Sequence, residues 1–187
     1  MDCLNKKISK DKIREGLARD IYAIEYDPAH YTICLDNVNS ILHKYNIDRI
    51  NWNIYCEDSL KKNIDMKFDY VVGNPPYISY KMLDENTRKY VRKNFEVCKQ
   101  GKFDYCYPFI EKGINLLKDN GKIAFLVPGS IFKNVFSKNL REYLKEDIID
   151  IYDYATRKLF NEYATGEKKK ILTSSVVFVL QKGSGTK

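Results

Sequence analysis

The chain has 187 residues, 44% apolar and 13% aromatic, with a formal net charge of +7. That length and apolar content support a buried core and exclude a disordered chain. No apolar run approaches the roughly 20 residues of a membrane-spanning helix, and five cysteines without close spacing (Cys3, Cys34, Cys56, Cys98, Cys106) exclude a zinc ribbon or a disulfide framework.

Taken in order, residues 8–18 read as a short basic helix and Asp20–Tyr26 as a strand. Asp27-Pro28 supplies an N-cap and a proline at the first helical position, opening a helix to about residue 44. Asn53–Cys56 and Phe68–Val72 read as strands, 84–93 as a polar helix, and 104–118 as an amphipathic one. In that last helix Tyr105, Phe109, Ile114 and Leu117 fall near helical spacing, and Asn120-Gly121 ends it. Lys122–Val127 is the most apolar strand, Ser137–Leu144 a helix, and Ile148–Tyr152 and Ser174–Leu180 the last strands. Strand–helix alternation implies an open α/β sheet with helices on both faces, and such sheets bind ligands at the carboxyl ends of their strands. Glu25, Asp58, Asn74 and Pro128-Gly129-Ser130 all fall at strand ends, so a shared cleft is expected there.

Charge is concentrated in one region. Residues 61–102 hold ten Lys/Arg against five Asp/Glu, a field that favours a polyanionic partner; a solvated lysine-rich surface is the plainer alternative. Arg88, Lys89, Arg92 and Lys93 form i, i+4 pairs that a helix gathers on one side, where they would contact phosphates, or else form a solvated face. His30 and His43 have no metal-like arrangement, so no metal is expected. Reduced cysteines and the lack of a signal-peptide pattern read as cytoplasmic, with no membrane partner.

Within the basic region lies Gly73-Asn74-Pro75-Pro76-Tyr77-Ile78. It resembles motif IV of the S-adenosylmethionine-dependent amino-methyltransferases. Phe103-Asp104-Tyr105, Phe109-Ile110-Glu111-Lys112-Gly113 and Gly121–Pro128 narrow the resemblance to the N6-adenine DNA methyltransferases of restriction–modification systems. The resemblance covers roughly residues 20–181. It implies a Rossmann-like class I methyltransferase fold, S-adenosylmethionine as cofactor, and double-stranded DNA with a flipped adenine as partner. It assigns Asn74 and Pro75 as acceptors for the two amine hydrogens, Pro76 as a residue without a competing donor, and Tyr77 as a stacking ring. It assigns Glu25 to the cofactor ribose, Tyr26 to its adenine ring and Asp58 to its adenine amine, with Glu57 the rival of Asp58. Where the family often has an aromatic residue after that aspartate, this chain has Ser59.

The family's glycine-rich loop and the strand before it have no counterpart here. Gly16 is the one glycine in residues 1–20. The expectation is therefore a partial catalytic domain over 1–181, a disordered tail over 182–187, and a separate chain or missing segment supplying motif I and target recognition. The missing strand lies centrally in the family sheet. Without it, the Glu25 and Asn74 strands either keep unpaired edges or pair with each other. Other readings of the same motif are N4-cytosine methylation, glutamine N5-methylation of release factors, and a non-catalytic DNA-binding remnant.

Overall fold

The structure, a computed structural model, describes residues 8–154 and 174–186. Cys3, the rest of residues 1–7 and Lys187 lie outside the described residues. The chain divides into two units, residues 1–63 and 64–187. The reason is the hydrogen bonding: the strands fall into two sheets, each closed within its own unit.

The first unit is a parallel βαβ element with a helix before it. Ser9 caps α1 (Lys10–Asp20), its hydroxyl accepting from Lys12 N at 3.4 Å. Strand β1 (Tyr22–Glu25) leads into α2 (Pro28–Lys44) and β2 (Asn53–Cys56). Asp27 takes its expected place as N-cap, accepting from Ala29 N at 2.8 Å and His30 N at 3.0 Å, with Pro28 opening the helix. Strands β1 and β2 run parallel from Tyr22↔Asn53 to Glu25↔Cys56. Leu42, Ile47 and Ile50 form the buried cluster, covered by Ile13, Leu17 and Trp52.

The second unit is a four-stranded sheet in the order β3-β4-β6-β5. These strands are β3 (Phe68–Gly73), β4 (Leu117–Pro128), β5 (Ile148–Asp153) and β6 (Ser175–Gln181). The β3–β4 pair is parallel, with α3 (Glu85–Asn94) and α4 (Cys106–Asn115) in the crossover; β6 is antiparallel to both neighbours. Helix α5 (Lys138–Leu144) precedes β5. Ile123, Phe125 and Val127 of β4 are buried on alternate positions, as a strand requires. Two glycines let other elements close on Phe125. A Cβ at Gly113 would meet Ile123 Cδ1 at 2.6 Å and Phe125 Cζ at 3.1 Å, and one at Gly73 would meet Phe125 Cε1 at 3.0 Å.

Three expectations need correction. Helix α4 ends at Asn115 and buries Cys106, Tyr107, Ile110, Gly113 and Ile114, a face one position round from Tyr105 and Phe109. Asn120-Gly121 instead turns the chain within β4, Asn120 at φ 61°. Residues 182–185 are not a loose tail. Lys182 N donates to Gly121 O at 3.0 Å, and Gly185 N donates to Asp147 Oδ1 at 3.1 Å. Strand ends carry backbone and carboxylate groups without ladder partners, and this turn satisfies them. The unpaired-edge expectation matches the topology: among the described residues β1 has the single neighbour β2, and β3 the single neighbour β4.

Candidate active site

Strand β3 delivers its last residue, Gly73, opposite Phe125 of β4, and the chain then leaves the sheet as Asn74-Pro75-Pro76-Tyr77. The parallel pairing puts this loop and Pro128-Gly129-Ser130 at the same end of the sheet. The Asn74 side chain is exposed and takes no hydrogen bond from any described residue, whereas Pro75 is buried. Residues 75 and 76 have no backbone N–H, so the loop presents the Asn74 amide and carbonyl oxygens with no neighbouring donor to compete for them. Tyr77 is half-buried. Burial pushes its pKa up to about 12, with the nearby Ser175 hydroxyl of β6 acting in the opposite direction.

The segment after the loop is held by the basic helix. Asp84 caps α3 by accepting from Thr87 N at 2.9 Å. Arg88 donates to Tyr80 O and Lys81 O, both at 3.1 Å. Arg92 donates to Lys99 O at 3.2 Å, Gly101 O at 2.7 Å and Tyr80 Oη at 3.2 Å. Both guanidiniums also lie over the Tyr80 ring, at 4.6 and 5.5 Å from its centroid. The four basic residues expected to face phosphates therefore divide. Arg88 and Arg92 clamp the loops 80–81 and 99–101 onto the helix. Lys89 pairs with Glu85 at 2.7 Å and Lys93 faces solvent. Tyr105 N donates to Ile78 O at 2.8 Å, tying the same segment to the start of α4.

The candidate cofactor residues sit in the first unit. Glu25 ends β1; its Oε1 accepts from Asp27 N at 2.9 Å and its other carboxylate oxygen has no described donor. Tyr26 follows it, 76% exposed. Glu57 N donates to Glu25 O at 3.0 Å, which brings Asp58 to the same end of this sheet. Asp58 is the less available acid: Oδ1 accepts from Leu60 N at 2.9 Å, and Oδ2 lies 3.2 Å from Lys61 Nζ. Its rival Glu57 is ion-paired with Lys62 at 2.6 Å. Glu25 and Tyr26 therefore fit a ribose and an adenine ring directly. Asp58 fits an adenine amine once the exposed Lys61 swings aside. Among the described residues no cluster of His, Cys, Asp or Glu could hold a metal ion, and no helix is long and apolar enough to cross a membrane.

Residues 5–160 match the family model described as "Eco57I restriction-modification methylase". The Type II methyltransferase M.BstVI of Geobacillus stearothermophilus is 25% identical over 160 residues, 76% of this chain and 28% of that protein. The DNA-bound ATP-dependent Type ISP restriction–modification enzyme LlaBIII superposes with a TM-score of 0.68 at 19% identity, covering 98% of this chain and 15% of that one. A Listeria monocytogenes protein assigned to the class I S-adenosylmethionine-dependent methyltransferases superposes with a TM-score of 0.58 at 19% identity, over 92% of this chain and 48% of that one. The fold is that of this class, and the chain spans less than half the length of each of these relatives.

Proposed function

This chain belongs to the Eco57I restriction-modification methylase family, and from that premise we propose that it is the catalytic part of an enzyme methylating the N6 amine of adenine in DNA. The carrying observation is the Asn74–Tyr77 loop: an exposed, unengaged side-chain amide at a strand end, followed by two residues without N–H and a half-buried aromatic ring.

An exocyclic adenine amine is a poor nucleophile because its lone pair is delocalised into the ring. Asn74 Oδ1 and the Pro75 carbonyl accept its two hydrogens and favour a pyramidal nitrogen with a localised lone pair. Fixed acceptors of this kind need no ionised base and no reorganisation as charge develops. Tyr77 stacks on the flipped base. The family's methyl donor, S-adenosylmethionine, supplies an electrophilic methyl on sulfonium. Glu25 would accept from its ribose hydroxyls, Tyr26 would cover its adenine, and Asp58 would accept from its adenine amine.

The test is methyl transfer to DNA by the enzyme, followed by digestion and identification of the modified base. N6-methyladenine is the expected product, and Asn74→Ala reduces its rate by about 10²–10³ while cofactor affinity stays within a few fold. N4-methylcytosine as product would overturn the adenine assignment, and near-normal turnover of the variant would overturn the role of Asn74.

A further inference from the structure

Among the described residues Glu111 is the one charged side chain that is buried, 5% exposed, and the chemistry above makes no use of it. A carboxylate taken out of water destabilises a fold unless hydrogen bonds replace those it had with water. Here both oxygens are used. They accept from two successive backbone N–H groups, Glu96 N at 3.1 Å and Val97 N at 2.9 Å, fifteen and fourteen residues back along the chain. Those N–H groups open the short 3₁₀ turn Glu96–Cys98, and the residue before it, Phe95, has no side-chain oxygen with which to cap it. In α3 the same need is met locally, by Asp84 accepting from Thr87 N. A local cap satisfies an N–H and ties nothing else together. A cap delivered from another helix also fixes where the two elements stand relative to each other.

The far end of this segment is held as well. Arg92 donates to Lys99 O and Gly101 O, so residues 96–101 are pinned to α4 at one end and to α3 at the other. They lead into Phe103, buried with its ring 5.2 Å from that of Tyr80, and then to Tyr105, whose N–H donates to Ile78 O at 2.8 Å. Ile78 is the residue after Tyr77. The other end of the Asn74–Tyr77 loop refers to the same helix: Gly73 pairs with Phe125 of β4, and Gly113 lets α4 approach that ring.

We propose that Glu111 is a positioning residue for methyl transfer. By holding residues 96–97 on α4 it fixes the segment 103–105, and through Tyr105 N it fixes the Ile78 carbonyl, where the Asn74–Tyr77 loop ends. Being buried, it acts through the backbone and not on substrate. The proposal rests on the reading of that loop as the methylation site, and it holds whichever amine is methylated.

The experiment compares three variants of the enzyme. Glu111→Gln keeps the size and one acceptor oxygen but sets an NH₂ against one of the two N–H groups. Glu111→Met keeps the length and removes both acceptors. Leu180→Val is a buried change in β6, opposite Ile123, that loosens the core without touching this path. Methyl transfer to DNA is measured at a temperature where each protein is folded, beside hydrogen exchange of the backbone amides. A misplacement of about 1 Å can lower a rate by about 10²-fold. Glu111→Gln should therefore lower kcat by about 10-fold and Glu111→Met by up to about 10²-fold. KM for DNA and for S-adenosylmethionine should hold, as expected when an interaction made only in the transition state is lost. The amides of Glu96, Val97 and Tyr105 should exchange faster in both. Leu180→Val should keep the parent's kcat and its Tyr105 protection. If Glu111→Met does not fold, Glu111→Gln decides alone. A parental kcat in Glu111→Gln, a loss no larger than that of Leu180→Val, or faster exchange at 96–97 with Tyr105 still protected overturns the proposal. Asn74→Ala is assayed alongside: if it keeps its turnover, the reading of the loop fails, while exchange at Tyr105 still reports whether Glu111 governs that segment.

Discussion

Arg92→Ala separates the two things the basic helix could do. The side chain makes one partly buried hydrogen bond, to Tyr80 Oη, and two exposed ones, to Lys99 O and Gly101 O. It also lies over the Tyr80 and Phe103 rings at 5.5 and 5.7 Å. A net hydrogen bond contributes about 1 kcal/mol, exposed ones less, and exposed cation–π contacts about 0.5–1 kcal/mol. The loss should be about 2 kcal/mol, or a fall in Tm of roughly 4–8 °C for a chain of this size. Lys89→Gln with Lys93→Gln removes solvent-facing charge and should leave Tm unchanged. If those lysines touch phosphates, each lost contact reduces the slope of log affinity against log salt by about 0.9 on duplex DNA. Thermal melting and anisotropy of a labelled duplex over a salt series read both. An Arg92→Ala protein that melts like its parent but binds DNA with a flatter salt slope would refute the clamp and restore the arginine to the phosphates.

In α4, Gly113→Ala sets overpacking of about 1–3 kcal/mol against a helix-propensity gain of about 1 kcal/mol. The Ile123 methyl lies 2.6 Å from the new Cβ, so overpacking should win and the urea midpoint should fall; a midpoint held or raised would mean that methyl yields freely. Glu25→Gln should weaken S-adenosylmethionine by about 1.5–3 kcal/mol, the value of hydrogen bonds to a charged group. Calorimetry checks this, and unchanged affinity would move the ribose elsewhere. The N-cap carboxylates Asp27 and Asp84 are held below the usual range, Asp27 chiefly by the backbone N–H of His30 and Asp84 chiefly by the Thr87 hydroxyl. Their contribution is complete above the ordinary carboxylate pKa of about 3.9 and is lost as pH falls through their lower folded values. Asp27→Asn and Asp84→Asn should therefore each flatten the acid limb of stability below pH ~4, measured as Tm against pH; an unaltered limb would exclude the caps as its source.

Local signals in the sequence carried the framework. Asp27-Pro28 opens a helix because the carboxylate and the proline ring act on their own neighbours, and alternating apolar strands need only nearest residues to be recognised. What they hid is the long-range use of polar groups. Helical spacing puts Arg88 and Arg92 on one side of α3 but cannot say what that side meets. Their partners are backbone carbonyls at Tyr80, Lys81, Lys99 and Gly101, which every residue possesses and no side-chain pattern announces. In α4 Ile114 is buried as its spacing suggested, but the rings of Tyr105 and Phe109 are only partly so; Cys106, Tyr107 and Ile110 fill the buried face, and Gly113 lets it close on Ile123 and Phe125.

The glycine before Asn74 has a bearing on selection experiments. Gly73 has no left-handed φ to require it; a Cβ there would meet Phe125 Cε1 at 3.0 Å, so the ring, which Gly113 also approaches, would have to give by a few tenths of an ångström. Positions 73, 113 and 125 therefore share one fixed volume. A library randomising the methylation loop together with β4 should return these three as a covarying set of sizes, with Ala at 73 or 113 recovered beside Leu at 125 and seldom beside Phe. Invariance of the residue preceding Asn74 would then record packing against the neighbouring strand, and a designer could move it by reshaping that strand without touching the loop itself.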